Sequence, residues 1–406
     1  MHILLLTQIV PYPPDSGPKV KTYHVLRYLA KRGHQITLAS FVRDHERQYL
    51  DHLQVYCKEI HPVPMRRSRI ADGMAYLAGL RSGLPFLVTR DAQSEMQRLI
   101  DHLAQQPFDI VHADQLTMAQ YALQFHRSNR LPAIVFDAHN AVYEIVARAR
   151  QTALPLVRPA LALEAKRLKR YEASLVEQFD QTLAVSEIDK RALLQASPTA
   201  SKYDSKISVI PIAVDCTTLQ PIRRADGSHN ILTVGTLFYP PNADGVRWFL
   251  SDVFSIVQKQ FPAVTLSVVG PRPPKDIVEF GKRNAECVQV TGYVPDLQPY
   301  FERAALMVVP VRAGSGMRVR ILEALARGIP VVTTTTGVEG IDAIAGEHLL
   351  VADEPNEFAN AIVRLLRDPQ LGATLAQNGR RLAEQKYDWQ VVLPKLEAVY
   401  TSLKVK

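Results

Sequence analysis

Along this chain, short runs of consecutive apolar residues alternate with stretches whose apolar positions recur every three to four residues. Runs of the first kind mark strands buried on both faces, and the second kind marks helices packed over them. The strand runs of the first half are His2–Ile9, Gln35–Phe41, Ile60–Met65, Asp109–Ala113, Ala133–Ala138 and Gln181–Val185, with a short Lys206–Pro211 after them. A representative helix is Val20–Lys31, where Val20, His24, Arg27 and Lys31 fall at helical spacing and Gly33 is the stop. Pro221–Asn230 is polar and carries Pro and Gly. A second series then begins with Ile231–Gly235, Val264–Gly270, Val288–Tyr293, Leu306–Val311, Pro330–Thr334 and His348–Val351. Helices follow over Pro355–Gln385. The tail Asp388–Leu403 is helical again, with Pro394 predicted to start or kink it.

This alternation predicts an α/β protein of two doubly wound, Rossmann-like domains facing a cleft. The expected boundaries are 1–212, a linker over 213–230, a second domain over 231–386, and a closing helix over 387–406 that packs back on the first domain. A length of 406 residues suits two such domains. Ligands of such sheets bind beyond the carboxyl ends of the strands.

Composition changes the picture little. At 47% hydrophobic and 22% charged the chain is globular, neither fibrous nor largely disordered. No apolar run reaches the ~18–20 residues that span a bilayer. The apolar start Met1–Leu6 has no basic region before it and reads as a first strand rather than a signal peptide. Cys57, Cys216 and Cys287 are odd in number and form no C-x-x-C, which argues against disulfides and a cysteine zinc site. A cytoplasmic location, at most at the inner face of a membrane, is the expectation. Charge adds more. The net +8 is concentrated in residues 61–90, with five arginines and one aspartate, and 145–172, with seven basic groups and two acidic ones. Such faces suit anionic lipid or a phosphorylated ligand, or are merely solvated. Arg66–Arg69 followed by Ile70, Met74, Leu77 and Leu80 is the part that fits an anionic membrane surface.

The most informative stretch runs from Leu306 to Val332. A buried strand leads into Gly314-Ser315-Gly316, a helix opens near Met317, and Gly328 stops it. Glycines let backbone approach a ligand, and a helix N-terminus favours phosphate. Arg318 and Arg320 put positive charge where the helix dipole disfavours it unless an anion binds. Glu323, flanked by Arg320 and Arg327, is either a surface ion pair or a carboxylate for sugar or ribose hydroxyls. A nicotinamide site is disfavoured, because Val319 stands where the fingerprint needs Gly or Ala. In the first half, Asp137-Ala-His-Asn140 ends a strand and opens a helix, so His139 either faces a ligand or is structural. His112 also ends a strand. Lys19 and Lys21 either reach a phosphate or acceptor, or are solvated. No D-x-D occurs, and no spacing suggests a metal cage.

These residues resemble retaining glycosyltransferases of family 4, with the GT-B fold. Gly314–Val332 resembles their donor signature. Thr233-Val-Gly235 with Phe238–Gly245, Val290–Val294 with Asp296, Tyr387-Asp-Trp389, and Pro11–Gly17 resemble their other recurrent elements, in the same order. The stretch A-G-S-G-x-R-x-R-I-L-E is similar to a variant associated with exopolysaccharide and lipopolysaccharide assembly. Two departures stand out: Ser315 replaces the first of two glutamates, and Leu237–Gly245 lacks the usual basic pair.

The resemblance implies transfer of a sugar from a nucleoside-diphosphate donor to a saccharide or lipid-linked acceptor, with retention, no metal, no other cofactor and no nucleic-acid partner. It assigns catalysis to His139, Arg318 and Glu323, with Gly17 and His139 facing the sugar. Donor binding goes to Gly17, Gly235, Asn242, Gly314, Ser315, Gly316, Met317, Arg318, Arg320 and Glu323. Nucleotide-sugar epimerisation or non-catalytic binding of the same ligand are the alternatives. The sequence does not fix the base, the sugar, the linkage or the oligomeric state.

Overall fold

The computed structural model describes residues 1–127, 132–197, 199–223 and 227–404. Two compact units emerge, Met1–Ala213 with Val392–Lys406, and Val214–Val391. Among the described residues the first unit carries β1 (His2–Thr7), β2 (Gln35–Val42), β3 (Glu59–Pro64), β4 (Ile110–Asp114), β5 (Ala133–Ala138), β6 (Gln181–Ala184) and β7 (Ile207–Val209). They form one parallel sheet in the order β3-β2-β1-β4-β5-β6-β7. The second unit carries β8 (Asn230–Val234), β9 (Thr265–Val269), β10 (Val288–Val290), β11 (Ala304–Val309), β12 (Val331–Thr333) and β13 (Leu350–Val351), in the order β10-β9-β8-β11-β12-β13. Every predicted apolar run is one of these strands. Their side chains explain why, since Ile3, Leu4, Leu6, Val111, Leu306 and Val308 are fully buried between helical layers.

Strand order locates the ligand-binding edge of each sheet. It reverses between β1 and β4 in the first and between β8 and β11 in the second. At such switch points the loops leave in opposite directions and open a crevice at the strand carboxyl ends. In the first sheet the register sets Thr7 beside Asp114, and Asp114 beside Asp137.

The segment after β7 and the last helix are both tied into the fold. Residues 214–220 are not a free linker: Trp389 N–H donates to Val214 O at 2.9 Å, and the Asp388 carboxylate accepts from Cys216 N–H at 2.9 Å. Arg380 fixes the same segment by donating to the carbonyls of Cys216, at 2.8 Å, and Leu219. The last helix spans Trp389–Lys404 with Pro394 inside it rather than at its start. Its final three turns belong to the first unit, where Glu397 accepts from Tyr28 at 2.9 Å and Arg32 at 3.0 Å. Burial of Tyr400 outweighs the missing Pro394 amide.

Candidate functional site

At the switch point of the first sheet lies a buried network that local sequence did not foreshadow. Lys21, from the helix Gly17–Lys31, projects inward and its ammonium pairs with the Asp137 carboxylate. Both side chains are almost inaccessible, at 3% and 1% exposure. His112 lies against the other Asp137 oxygen at 3.4 Å, and its Nδ1 meets the Tyr400 hydroxyl at 2.6 Å. Burial alone would raise the Asp137 pKa. The Lys21 ammonium, with the hydrogen bond from His112, outweighs it and holds the carboxyl well below the usual range. Tyr400 is pushed far up by burial and then by Asp137 and Asp114, so its phenol keeps its proton and donates to His112.

Asp114 organises the adjacent group. Its Oδ1 accepts from Thr22 Oγ1 at 2.9 Å and lies 2.8 Å from His139 Nε2. With Nε2–H donating to the carboxylate, neutral His139 carries its lone pair on Nδ1. That atom is buried and has no hydrogen-bond partner. His139 is thus held by a carboxylate on one side and left with an unspent acceptor on the other. Exchanging Asp114 for Asn removes the charge that fixes this tautomer. Turnover is expected to fall at least about tenfold in Asp114→Asn and further in His139→Ala, with melting temperatures near wild type for His139→Ala. Equal, wild-type rates in both would remove His139 from the chemistry.

The remaining first-unit residues are placed differently from expectation. Gly17 is the first residue of its helix, and Pro18 follows it in the first turn. Lys19 pairs with Asp15 at 3.5 Å and Glu46 at 3.6 Å, while Lys21 is the buried partner of Asp137. Neither lysine is solvated. His112, Asp114 and Asp137 also offer ligand atoms within 4.8 Å of one another, a spacing that could hold a cation. Lys21 already neutralises that group, and His139 and Thr22 occupy Asp114.

In the second unit the loop between β11 and the helix Val319–Ala326 is shaped by Gly314, at φ 118°, and Gly316, at φ 83°. Backbone with positive φ is open to glycine at little cost. Arg318 is the residue before the helix, which therefore starts two residues later than Met317. Its guanidinium turns back and donates to Ser315 O at 2.7 Å and Gly316 O at 2.5 Å, clasping its own loop. Ser315 Oγ is buried without a partner. Met317 packs its side chain into the core, 7% exposed, so any contact it makes with a ligand is through its backbone. Asn242 Nδ2 donates to Thr236 O at 3.0 Å and closes the loop after β8.

Arg320 reaches across to β8, where Nη1 donates to Val234 O at 2.8 Å. Gly235 is the residue that makes room for it, because a Cβ there would stand 2.1 Å from that nitrogen. Burial, then the charge of Arg318, press the Arg320 pKa down to about 10 against the pull of Glu323, so it stays cationic. Glu323 forms no ion pair with its helical neighbours. Arg320 is bonded to Val234 O, and Arg327 donates to Gln298 Oε1 at 2.9 Å and lies over the Phe301 ring. Burial raises the Glu323 pKa, with Arg327 and Arg320 pulling the other way. A carboxylate with no ion pair among the described residues, one turn after a half-buried arginine at the switch point of a parallel sheet, is suited to accepting hydrogen bonds from hydroxyls beside an anion.

Residues 16–218, half of the chain, match a family model described as Glycosyltransferase Family 4. Residues 228–368 match one described as Glycosyl transferases group 1. A 44.6 kDa protein in the cps region of Klebsiella pneumoniae is 22% identical over 95% of this chain and 96% of its own length. The MMP alpha-(1->4)-mannosyltransferase of Mycolicibacterium hassiacum is 26% identical over 72% and 70%. In three dimensions the fold is similar to that of Anabaena Alr3699/HepE in complex with UDP-glucose, with a TM-score of 0.72 at 16% identity, over 99% of this chain and all of that one. Two Rossmann-like parallel sheets of this kind are the GT-B architecture, and this chain belongs to the glycosyltransferase family.

Proposed function

We propose that the protein moves a sugar from a nucleoside-diphosphate donor to a saccharide or lipid-linked acceptor in bacterial surface-polysaccharide assembly, with retention and without a metal. The observation that carries this reading is the second unit's switch point, where a glycine-shaped loop, the half-buried cationic Arg320 and a Glu323 carboxylate with no ion pair among the described residues lie together. Loop amides and Arg320 offset the charge that develops on a departing diphosphate. Glu323 accepts from ribose or sugar hydroxyls. Arg318 works through the loop that it clasps, shaping the amides rather than meeting the phosphate itself. His139, oriented by Asp114, offers Nδ1 to a sugar hydroxyl. Retention is consistent with a leaving phosphate that takes the acceptor proton on the same face. The capsular-region relative and the mannosyltransferase support the polysaccharide setting and the class of reaction.

A thermal-shift screen against UDP, GDP, dTDP, CMP and NAD tests the donor class. One nucleoside diphosphate is expected to raise the melting temperature, by linkage to the folded state. The response should vanish in Arg320→Ala. Turnover should be unchanged by EDTA. Silence from every diphosphate overturns the donor assignment, and restoration of an EDTA-treated enzyme by a divalent cation overturns the metal-free one. Consumption of donor only when acceptor is present separates transfer from epimerisation and from mere binding.

A further inference from the structure

We infer that Glu172, with Asp189 beside it, is a positioning residue for His139: two buried carboxylates from other helices grip the backbone that follows the histidine. The inference rests on the reading of His139 as the group that faces the sugar. His139 stands in a short span between two fixed points. β5 ends one residue before it, at Ala138, which pairs with Ala184 of β6. Two residues beyond it, Ala141 opens the helix Val142–Thr152. That helix has no cap of its own, because alanine offers no side-chain oxygen to the amides that a helix leaves unpaired at its start.

The caps come from distant parts of the chain. Glu172 Oε1 accepts from Val142 N–H at 2.7 Å, and Oε2 accepts from Tyr143 N–H at 2.8 Å. Asp189 Oδ1 accepts from Ala141 N–H at 3.4 Å, while its other oxygen accepts from the Ser186 hydroxyl. The Tyr143 hydroxyl adds a further tie by donating to Ala192 O at 2.9 Å. Both carboxylates stand on packed supports. Glu172 lies in the helix Arg158–Gln178, whose Leu168, Leu175 and Val176 are buried in the core of the first unit. Asp189 lies in the helix Glu187–Ala196, which follows β6. A serine or aspartate in place of Ala141 would also satisfy an amide, but it would move with the loop. A carboxylate reaching in from a packed helix ties the loop to the core.

The arrangement is costly, which argues that position matters. Glu172 is inaccessible to solvent and Asp189 is 3% exposed. Among the described residues Glu172 forms no ion pair. Burial pushes its pKa up to about 8, with Asp189 and Glu144 adding to the rise and the Tyr143 and Val142 amides opposing it. A glutamine of the same volume would bring no charge into the core. Its NH2 would, however, stand against one of the two amides, and only a carboxylate accepts from both. Asp114 sets the tautomer of the His139 ring, at 2.8 Å from Nε2, and the two buried carboxylates set where the ring stands.

Glu172→Gln tests this in the full chain. The variant should stay folded with kcat lower by at least about tenfold, since small displacements of a reacting group are strongly felt. Donor KM should stay within about twofold of wild type, because the diphosphate is assigned to the second unit. The melting-temperature response to whichever of UDP, GDP and dTDP stabilises the wild type should be retained. With 15N-labelled histidine, the ring signals that vanish in His139→Ala identify His139, and they should shift in Glu172→Gln. Hydrogen exchange on the unaltered protein needs no variant: the Val142 and Tyr143 amides, ordinarily open at a helix start, should be protected. Free exchange of both amides would overturn the proposal. So would a folded Glu172→Gln with wild-type kcat and an unmoved His139 signal, even with a lower melting temperature, since Glu172 would then serve stability alone. If His139→Ala turns over normally while the ring signal moves in Glu172→Gln, the sugar-facing reading fails and the positioning stands.

Discussion

Lys21→Met should cost about 3–5 kcal/mol of stability, the loss typical of a buried ion pair deprived of one partner. Lys21 and Asp137 are 3% and 1% exposed, so water does not rescue the orphaned carboxylate. The sign of the pH dependence makes the test specific. In the native protein the Asp137 pKa is depressed, so its contribution is present above the unfolded value near 3.8 and is lost only as pH falls through the lower folded value. Without Lys21 the largest opposing pull is gone and burial dominates, which raises that pKa instead. The variant is then best tolerated in acid, where Asp137 takes up a proton. Its deficit in melting temperature against wild type should widen from about pH 5 to pH 7. A deficit independent of pH would mean that Lys21 contributes packing rather than charge.

Arg320→Ala should lower turnover at least about a hundredfold, the scale on which removal of one pre-organised donor is felt. Gly235→Ala should lose at least about tenfold although it changes no polar group, because its Cβ would stand 2.1 Å from Arg320 Nη1 and displace the guanidinium from Val234 O. The decisive comparison is the double variant. If Gly235 acts only by leaving space for Arg320, the double variant is no slower than Arg320→Ala. Multiplied losses would give Gly235 an independent contact with substrate.

The strands were legible because parallel sheets buried on both faces are written as unbroken apolar runs, as in Ile3–Leu6 and Leu306–Val309. Gly314 to Arg320 was legible because strand, glycine turn and helix are local. What failed was orientation within such a segment. Met317 and Arg318 sit side by side in the motif, yet one packs into the core and the other bonds backward to its own loop. The network in the first unit was invisible for a different reason. Lys21 lies 116 residues from Asp137, and His112 lies 288 from Tyr400, so no window contains both partners. A lysine in a first helical turn is normally solvated, and no local cue marks this one as buried. The exposed face of the helix Arg69–Ser82 was half legible. Its apolar and basic residues could be read, but whether they faced a core or water depended on what packs over them.

The C-terminal helix has a consequence for how the molecule is made. A protein leaves the ribosome from its N-terminus, and its domains ordinarily fold as they emerge. Here the first unit is interrupted at Ala213 and resumes only at Val392. His112 waits for Tyr400, and Tyr28 and Arg32 wait for Glu397, until the helix after Val391 has been synthesised. The second unit, continuous from Val214 to Val391, is complete before the first. Nascent chains arrested before Val392 should therefore carry a protease-resistant second unit beside a first unit that is still open to cleavage.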